Sequence, residues 1–276
     1  MMDTISTRDD SDLLHARYGR ETGPLPTNEI IDTLLAHRSC RAFRPDPLPD
    51  GVLETLIAAG QSAATSSNLQ TWSVVAVEDA ERREALFHIG DSQKQILESP
   101  LVLCFLADLS RIAAIADRIP KPREALDYLE SFLVAAIDSS LAAQNVCVAA
   151  ESMGYGTCYL GELRQYPEKL AALLDLPPMT MVTFGLCIGV PDETRPAFIK
   201  PRLPQSSVLH RETYKPAQAL APVGDYEVVL DEFNRMARNG QPLWGLRCAS
   251  RVEKPDSLKG REHLAGALRR MGFPLK

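Results

Sequence analysis

Between Pro122 and Met153 the chain carries one long helical pattern that is apolar over most of its surface. Leu126, Leu129, Leu133, Ile137 and Leu141 recur at helical spacing, and Ala135, Ala136, Ser139, Ser140, Ala142 and Ala143 interleave with small side chains. A helix with so little polar surface must be covered on more than one side. In a chain of 276 residues, burial inside the core competes with burial against a second subunit. No uninterrupted apolar run of about 18 residues occurs, so no membrane span is expected.

The remaining elements narrow the architecture. Trp72–Val77 is β-branched and aromatic, and reads as a strand. Leu101–Ala107 is a continuous apolar run of strand length, which predicts a central strand buried on both faces. Met179–Val190 is a further strand. Thr27 is the expected N-cap of a helix running to His37. Leu48-Pro49-Asp50 opens another helix, with Val52, Leu53, Leu56 and Ile57 on one face. Ala80–Ile89, Tyr226–Arg238 and Gly260–Met271 are also helical. Residues 1–26 read as a polar arm with one short helix around Asp12–Tyr18. Strands and helices do not alternate strictly, and no strand-GxGxxG-helix unit occurs, so a Rossmann nucleotide domain is not supported. An α+β fold with one sheet wrapped by helices fits the order better.

Composition removes several function classes. The net charge of −6 gives no support for nucleic-acid or membrane-surface binding. Met1-Met2-Asp3-Thr4 does not read as a signal peptide. The cysteines at 40, 104, 147, 158, 187 and 248 form no CxxC pair and read as core residues in a reducing, cytoplasmic setting. The histidines are scattered, which argues against a zinc site. No Ser-His-Asp pattern has a recognisable spacing.

Three segments carry chemistry. His37-Arg38-Ser39-Cys40-Arg41-Ala42-Phe43-Arg44 gathers cations and a hydroxyl after a helix. Arginine offers planar bidentate donors and serine a short one, which suits a phosphate, although basic helix ends are also common as solvated caps. Gly154-Tyr155-Gly156-Thr157-Cys158-Tyr159-Leu160-Gly161-Glu162-Leu163 is a glycine-containing turn that permits close backbone approach to a flat ligand. In Lys200-Pro201-Arg202-Leu203-Pro204 two cations alternate around a proline in an extended segment.

The order of these three segments resembles the FMN-dependent nitroreductase family, in particular its branch of oxygen-insensitive NADPH nitroreductases and flavin reductases. The resemblance covers residues 27–205. It implies a nitroreductase-like α+β fold with a central, mostly antiparallel sheet and an intertwined homodimer. An N-terminal arm (1–26) and a C-terminal extension (206–276), which packs on the domain or on the dimer partner, flank the flavin domain.

The resemblance also assigns roles. His37, Arg38 and Ser39 look like the phosphate and ribityl grip, and Lys200 and Arg202 like the late basic pair closing over the phosphate side. Arg41 looks like the cation near flavin N1/O2, where charge gathers on reduction. Tyr159, Leu160, Gly161 and Glu162 resemble the turn that passes the ring, with an N–H of Gly161 or Glu162 directed at N5. Family members carry a second glycine where Glu162 stands, so either N–H remains a candidate. Ser66, Ser67, Asn68 and Gln70 occupy a polar turn, read either as turn capping or as a flavin-contacting loop. Gln93 matches a glutamine at the pyrimidine edge, or is a surface-helix glutamine. Arg195, Arg211, Arg247 and Arg251 are candidates for the NADPH 2′-phosphate or plain surface charge.

The activity implied is hydride transfer from NADPH or NADH through flavin N5 to a nitroaromatic, quinone or free flavin, by ping-pong turnover, with no catalytic side chain and no metal. The rival readings are a flavin-storage protein, a flavin-fragmenting or dehalogenating relative, and a phosphate-binding regulator without flavin.

Overall fold

Four strands form one antiparallel sheet: Trp72–Val77 (β1), Leu101–Asp108 (β2), Gly156–Leu160 (β3) and Thr180–Gly189 (β4), in the spatial order β1-β2-β4-β3. The helices are Ser11–Tyr18 (α1), Glu29–Leu35 (α2), Val52–Gln61 (α3), Ala80–Ile89 (α4), Gln95–Glu98 (α5), Ser110–Ala116 (α6), Leu129–Ser152 (α7), Pro167–Leu173 (α8), Pro216–Leu220 (α9), Val223–Met236 (α10), Trp244–Val252 (α11) and Leu264–Arg270 (α12). The structure, a computed structural model, describes residues 11–20, 25–238 and 240–276. Packing divides it into two units. Unit 1 joins the residues up to Arg38 with Ala197–Ser257, and unit 2 joins Ser39–Pro196 with Leu258–Lys276.

Unit 2 holds the sheet. Every residue of β2 is buried, as its apolar run predicts. Its alternating side chains serve two cores. Leu101, Leu103 and Phe105 pack with α3 and with Ala142, Ala143, Val146 and Ala150 of α7. Val102, Cys104 and Leu106 pack on the other face with Leu86 of α4, Ile96 of α5 and Leu170 of α8. Replacing fully buried Phe105 by alanine would cost about 3–5 kcal/mol, the usual range for a deeply buried aromatic. At one end of the sheet Leu268 and Phe273 pack against Ala107 and Met181.

The long helix begins at Leu129, seven residues after Pro122, because Tyr128 is extended (φ −91°, ψ 150°) and a short 3₁₀ turn, Glu124–Asp127, precedes it. Its small residues lie on the sheet. Leu129, Leu133, Ile137 and Leu141 stand 44–56% exposed as a continuous stripe. By length and composition this helix is long and apolar enough to cross a membrane. It nevertheless buries Asp138 and Ser139, both hydrogen-bonded inside unit 2, as a core helix does.

Two local expectations are corrected. The cap of α2 is Asn28, whose side-chain oxygen accepts from Ile30 N (3.1 Å) and Ile31 N (3.0 Å). Thr27 instead donates its hydroxyl to Asp32 at 2.5 Å. The segment read as a glycine turn contains β3. A turn at Gly154, at φ +85°, precedes the strand, whose residues pair with β4 from Gly156↔Gly189 to Leu160↔Gly185, and a second, 3₁₀ turn begins at Gly161.

Candidate functional site

Unit 1 brings the two basic segments together through a residue that the sequence does not advertise. Arg17, on α1 and only 7% exposed, donates Nη1 to the Lys200 carbonyl at 2.9 Å and Nη2 to the carbonyls of Leu35 (2.6 Å) and His37 (2.8 Å). One guanidinium thus fixes the end of α2 against a segment 183 residues after Arg17 itself. The Arg17 carbonyl in turn accepts from Arg202 N at 2.8 Å. His37 and Lys200 are half-buried, while Arg38 and Arg202 are exposed. The Arg202 guanidinium returns to the Lys200 carbonyl (3.0 Å), and that of Arg38 to the Ala36 carbonyl (3.1 Å). The arrangement concentrates positive charge, which suits a phosphate.

In unit 2 the continuation of the same motif lies on the free edge of β3. Ser39 pairs with Thr157 as a parallel bridge, and Cys40 N donates to the Thr157 carbonyl at 2.8 Å. Gly156 makes this possible, since a Cβ there would sit 2.7 Å from Cys40 Sγ. Its missing side chain therefore admits Cys40. Cys40 is buried, with its thiol on the Ala42 carbonyl at 3.1 Å. Arg41 is exposed and reaches back to the Ser39 carbonyl at 3.4 Å. Beyond it, Phe43 N donates to Glu98 at 3.4 Å, and Arg195 ties Glu98 (2.9 Å) to Asp192 (2.8 Å). That guanidinium holds the Glu98 carboxyl below its usual range. Asp192, which accepts from the Thr194 hydroxyl and then from Arg195, is held at about 2. Arg195 is therefore neutralised in place and is a poor ligand for a 2′-phosphate.

The polar turn before β1 is strained. Ser67, Asn68 and Gln70 have φ of +49°, +55° and +52°, a left-handed run that costs about 1–3 kcal/mol per residue unless surrounding contacts hold it. The contacts come from Asp138 of α7, 2% exposed. Its carboxylate accepts from the Thr65 hydroxyl (2.5 Å), Ser66 N (3.2 Å), Thr71 N (3.2 Å) and the Thr71 hydroxyl (3.1 Å). Thr65 also accepts from Gln70 N at 3.0 Å, and Gln70 Nε2 reaches Asn68 Oδ1 at 3.3 Å. Ser66, Ser67, Asn68 and Gln70 are all exposed. Strain of this kind gathers where a loop is shaped for a ligand.

Gln93 is not on a surface helix. It stands half-buried in the turn before α5, donating to the Glu162 carboxylate and accepting from Gln95 Nε2. This joins two predicted site residues. Gly161 and Glu162 open a 3₁₀ turn, Gly161–Gln165, directly after β3. Tyr159 is on the exposed side of β3, its ring edge-on to Phe184 at 5.3 Å. Leu160 is 1% exposed with its side chain in the core, so only its backbone could face a ligand. Arg17 and Asp138 are the residues that sequence reasoning missed. Asp138 has one legible signal, a lone acid in the middle of an apolar helix.

Known proteins share this fold. The Nitroreductase family model matches residues 34–190, and the model of its C-terminal domain matches 200–276. The NADPH-flavin oxidoreductase of Vibrio harveyi is 37% identical over 216 residues, covering 78% of this chain and 87% of that protein. The FMN reductase (NADPH) of Bacillus subtilis is 34% identical over 217 residues, covering 78% and 86%. Among solved structures, nitroreductase A from Vibrio parahaemolyticus aligns with a TM-score of 0.80 at 34% identity, covering 91% of this chain and all of that one. The NADPH:FMN oxidoreductase from Vibrio harveyi, complexed with NAD+, aligns at 0.79 and 33%, covering 90% and all of that chain. An antiparallel sheet edged by the Ser39–Arg41 segment, followed in sequence by a matching C-terminal domain, makes this chain a member of the nitroreductase family.

Proposed function

We propose that the protein is an FMN-dependent oxidoreductase that takes hydride from NADPH or NADH and delivers it to a nitroaromatic, a quinone or a free flavin in ping-pong turnover. FMN, when bound, supplies the hydride acceptance and donation. The observation that carries the reading is the Arg17 tether, which holds the His37 and Lys200 carbonyls on one guanidinium and so gathers the basic side chains that a flavin phosphate requires. Relatives whose names specify NADPH and flavin or FMN support the same cofactors.

Each residue then has a task. His37, Arg38, Lys200 and Arg202 would hold the phosphate, with Ser39 on the ribityl side. Arg41, exposed at the edge of β3, would stabilise charge gathering at the pyrimidine edge on reduction. Ser66, Ser67, Asn68 and Gln70 would contact the flavin from a loop held in shape by Asp138. Gln93 would stand at the pyrimidine edge, its amide donating to the Glu162 carboxylate. The Gly161 and Glu162 N–H groups would be the donors offered to N5. No side chain transfers a proton in this scheme; the chain binds, orients and supplies charge.

We also propose a homodimer, with the exposed stripe of α7 as part of its interface, since an apolar row of this length is normally covered. The reading is tested by the absorbance spectrum of purified protein, followed by anaerobic NADPH and then NADH. A yellow protein that bleaches supports the reductase, and the faster donor gives the preference. A yellow protein that does not bleach favours flavin storage. Failure to take up added FMN refutes the proposal. Arg41→Ala should weaken FMN retention and slow bleaching, whereas Lys94→Ala should do neither.

A further inference from the structure

Unit 2 contains a second cluster of cations. A cavity of about 230 Å³ lies between the Arg164–Lys169 segment and the start of α12, lined by Arg164, Lys169, His263, Arg270 and one carboxylate, Glu168; His263 also lies 3.5 Å from Glu262. Arg270 is already neutralised, in a bidentate pair with Glu168 at 2.8 Å on both bonds. The Lys169 ammonium lies 4.6 Å over the Tyr166 ring, an interaction that leaves its charge unneutralised.

Arg164 differs from both. Its Nη1 donates to the Thr183 carbonyl at 2.5 Å, and no carboxylate among the described residues forms a salt bridge with it. Arg261, outside the cavity lining, is near enough for its charge to act on Arg164. Partial burial, and then the Arg261 charge, hold Arg164 below the usual guanidinium range. A half-buried guanidinium that faces a cavity without a carboxylate partner is an arrangement that a bound anion relieves.

We propose that this pocket binds a phosphate dianion, either free or as the monoester group of a nucleotide, with Arg164 as its central ligand and Lys169 and His263 around it. The guanidinium fork matches phosphate geometry, and N–H groups of Arg164 beyond the one used on Thr183 remain to donate. The cavity is below the usual size of a pocket for a whole small molecule, so a nucleotide would enter by its phosphate end. A Cβ on Gly161 would lie 3.5 Å from Arg164 Nη2, so this guanidinium runs beside the Gly161 turn. The inference does not rest on the flavin reading, and a protein that proved colourless would leave it standing.

The test is calorimetric titration of the full-length protein, dialysed free of anions, with inorganic phosphate. Binding is expected, and Arg164→Gln should weaken it about tenfold, as the loss of one charged hydrogen-bonding ligand does. Arg164 also braces the sheet through Thr183, so Lys169→Gln, at the rim, provides a second variant that should weaken binding without loss of fold. Steady-state kinetics separate the sources. If the occupant is the 2′-phosphate of NADPH, inorganic phosphate competes with NADPH but not with NADH, and Lys169→Gln raises the KM for NADPH alone. If the occupant is free phosphate, binding persists at saturating NADPH and neither KM moves. Absence of phosphate binding, or binding that both substitutions leave unchanged and that therefore lies elsewhere, overturns the proposal.

Discussion

Asp138 offers the sharpest test of how the long helix shapes the site. Its carboxylate takes four hydrogen bonds from the 65–71 turn, two of them from Thr71, itself 2% exposed. Asp138→Ala removes the acceptor and leaves the Thr71 N–H and hydroxyl in a dry environment. At about 1.5–3 kcal/mol for each hydrogen bond to a charged group, the Thr71 pair represents roughly 3–6 kcal/mol. The substitution also recovers the cost of burying a carboxylate and lets the hydroxyls turn to other acceptors, so the lower end, about 3 kcal/mol, is expected. Asp138→Asn keeps one acceptor oxygen but points an NH₂ at donors, and should lose about 2 kcal/mol by the same count. The assay is urea unfolding at fixed protein concentration, paired with amide hydrogen exchange. Exchange should accelerate at residues 66–71 more than in β2, because the left-handed run at Ser67, Asn68 and Gln70 relaxes once its support is gone. A loss below about 1 kcal/mol for Asp138→Ala, with unchanged exchange in the turn, would refute the argument that this carboxylate holds the loop.

Further outcomes follow from other contacts. Arg17→Ala removes the shared donor of the Lys200, Leu35 and His37 carbonyls, of which Lys200 keeps its bond from Arg202, and should raise the FMN dissociation constant about tenfold or more, measured by fluorescence, although Arg17 itself is too buried to be a direct ligand. Asp192 has its folded pKa depressed from 3.8 to about 2, so its stabilisation is present above pH 3.8 and lost as pH falls towards 2. Arg195→Gln should therefore move the acid-unfolding midpoint to higher pH, and an Asp192 pKa that stays near 2 by NMR titration would contradict the clamp. Leu133→Glu combined with Ile137→Glu, on the exposed stripe of α7, should shift the sedimentation coefficient from dimer towards monomer without loss of helix content.

Much of this architecture was legible in the residues because it depends on local period. The apolar run at 101–107 became a strand buried on both faces, and the 72–77 and 80–89 boundaries agree with the structure. The elements misread were those decided by chemistry at a distance. β3 hid behind its glycines because its pairing with β4 is non-local, and the α2 cap moved by one residue because Thr27 found Asp32. The candidate site divides the same way. The basic residues of the 37–41 and 200–202 segments could be named from sequence, since charge and order are visible there. Arg17 could not, because its task is to hold carbonyls that sequence does not show to be near it. The contact of the Arg38 guanidinium with the Ala36 carbonyl is likewise a detail that charge and order do not show.

The interleaved composition of unit 1 has a bearing on synthesis. Its first part leaves the ribosome long before Ala197–Ser257 does, and α2 meanwhile displays Ile30, Ile31 and Leu34. At the usual 5–20 residues per second, the separation of 183 residues between Arg17 and Lys200 amounts to a wait on the order of ten to forty seconds. During that interval most of unit 2 emerges, with β4, the strand that joins β2 to β3, coming only at its end. The nascent chain therefore passes through a state in which Ser39–Pro196 of unit 2 has emerged while unit 1 still lacks its second part. The same interleaving means that no single contiguous fragment reproduces unit 1, so a truncation that removes α1 also removes the tether of the basic cluster.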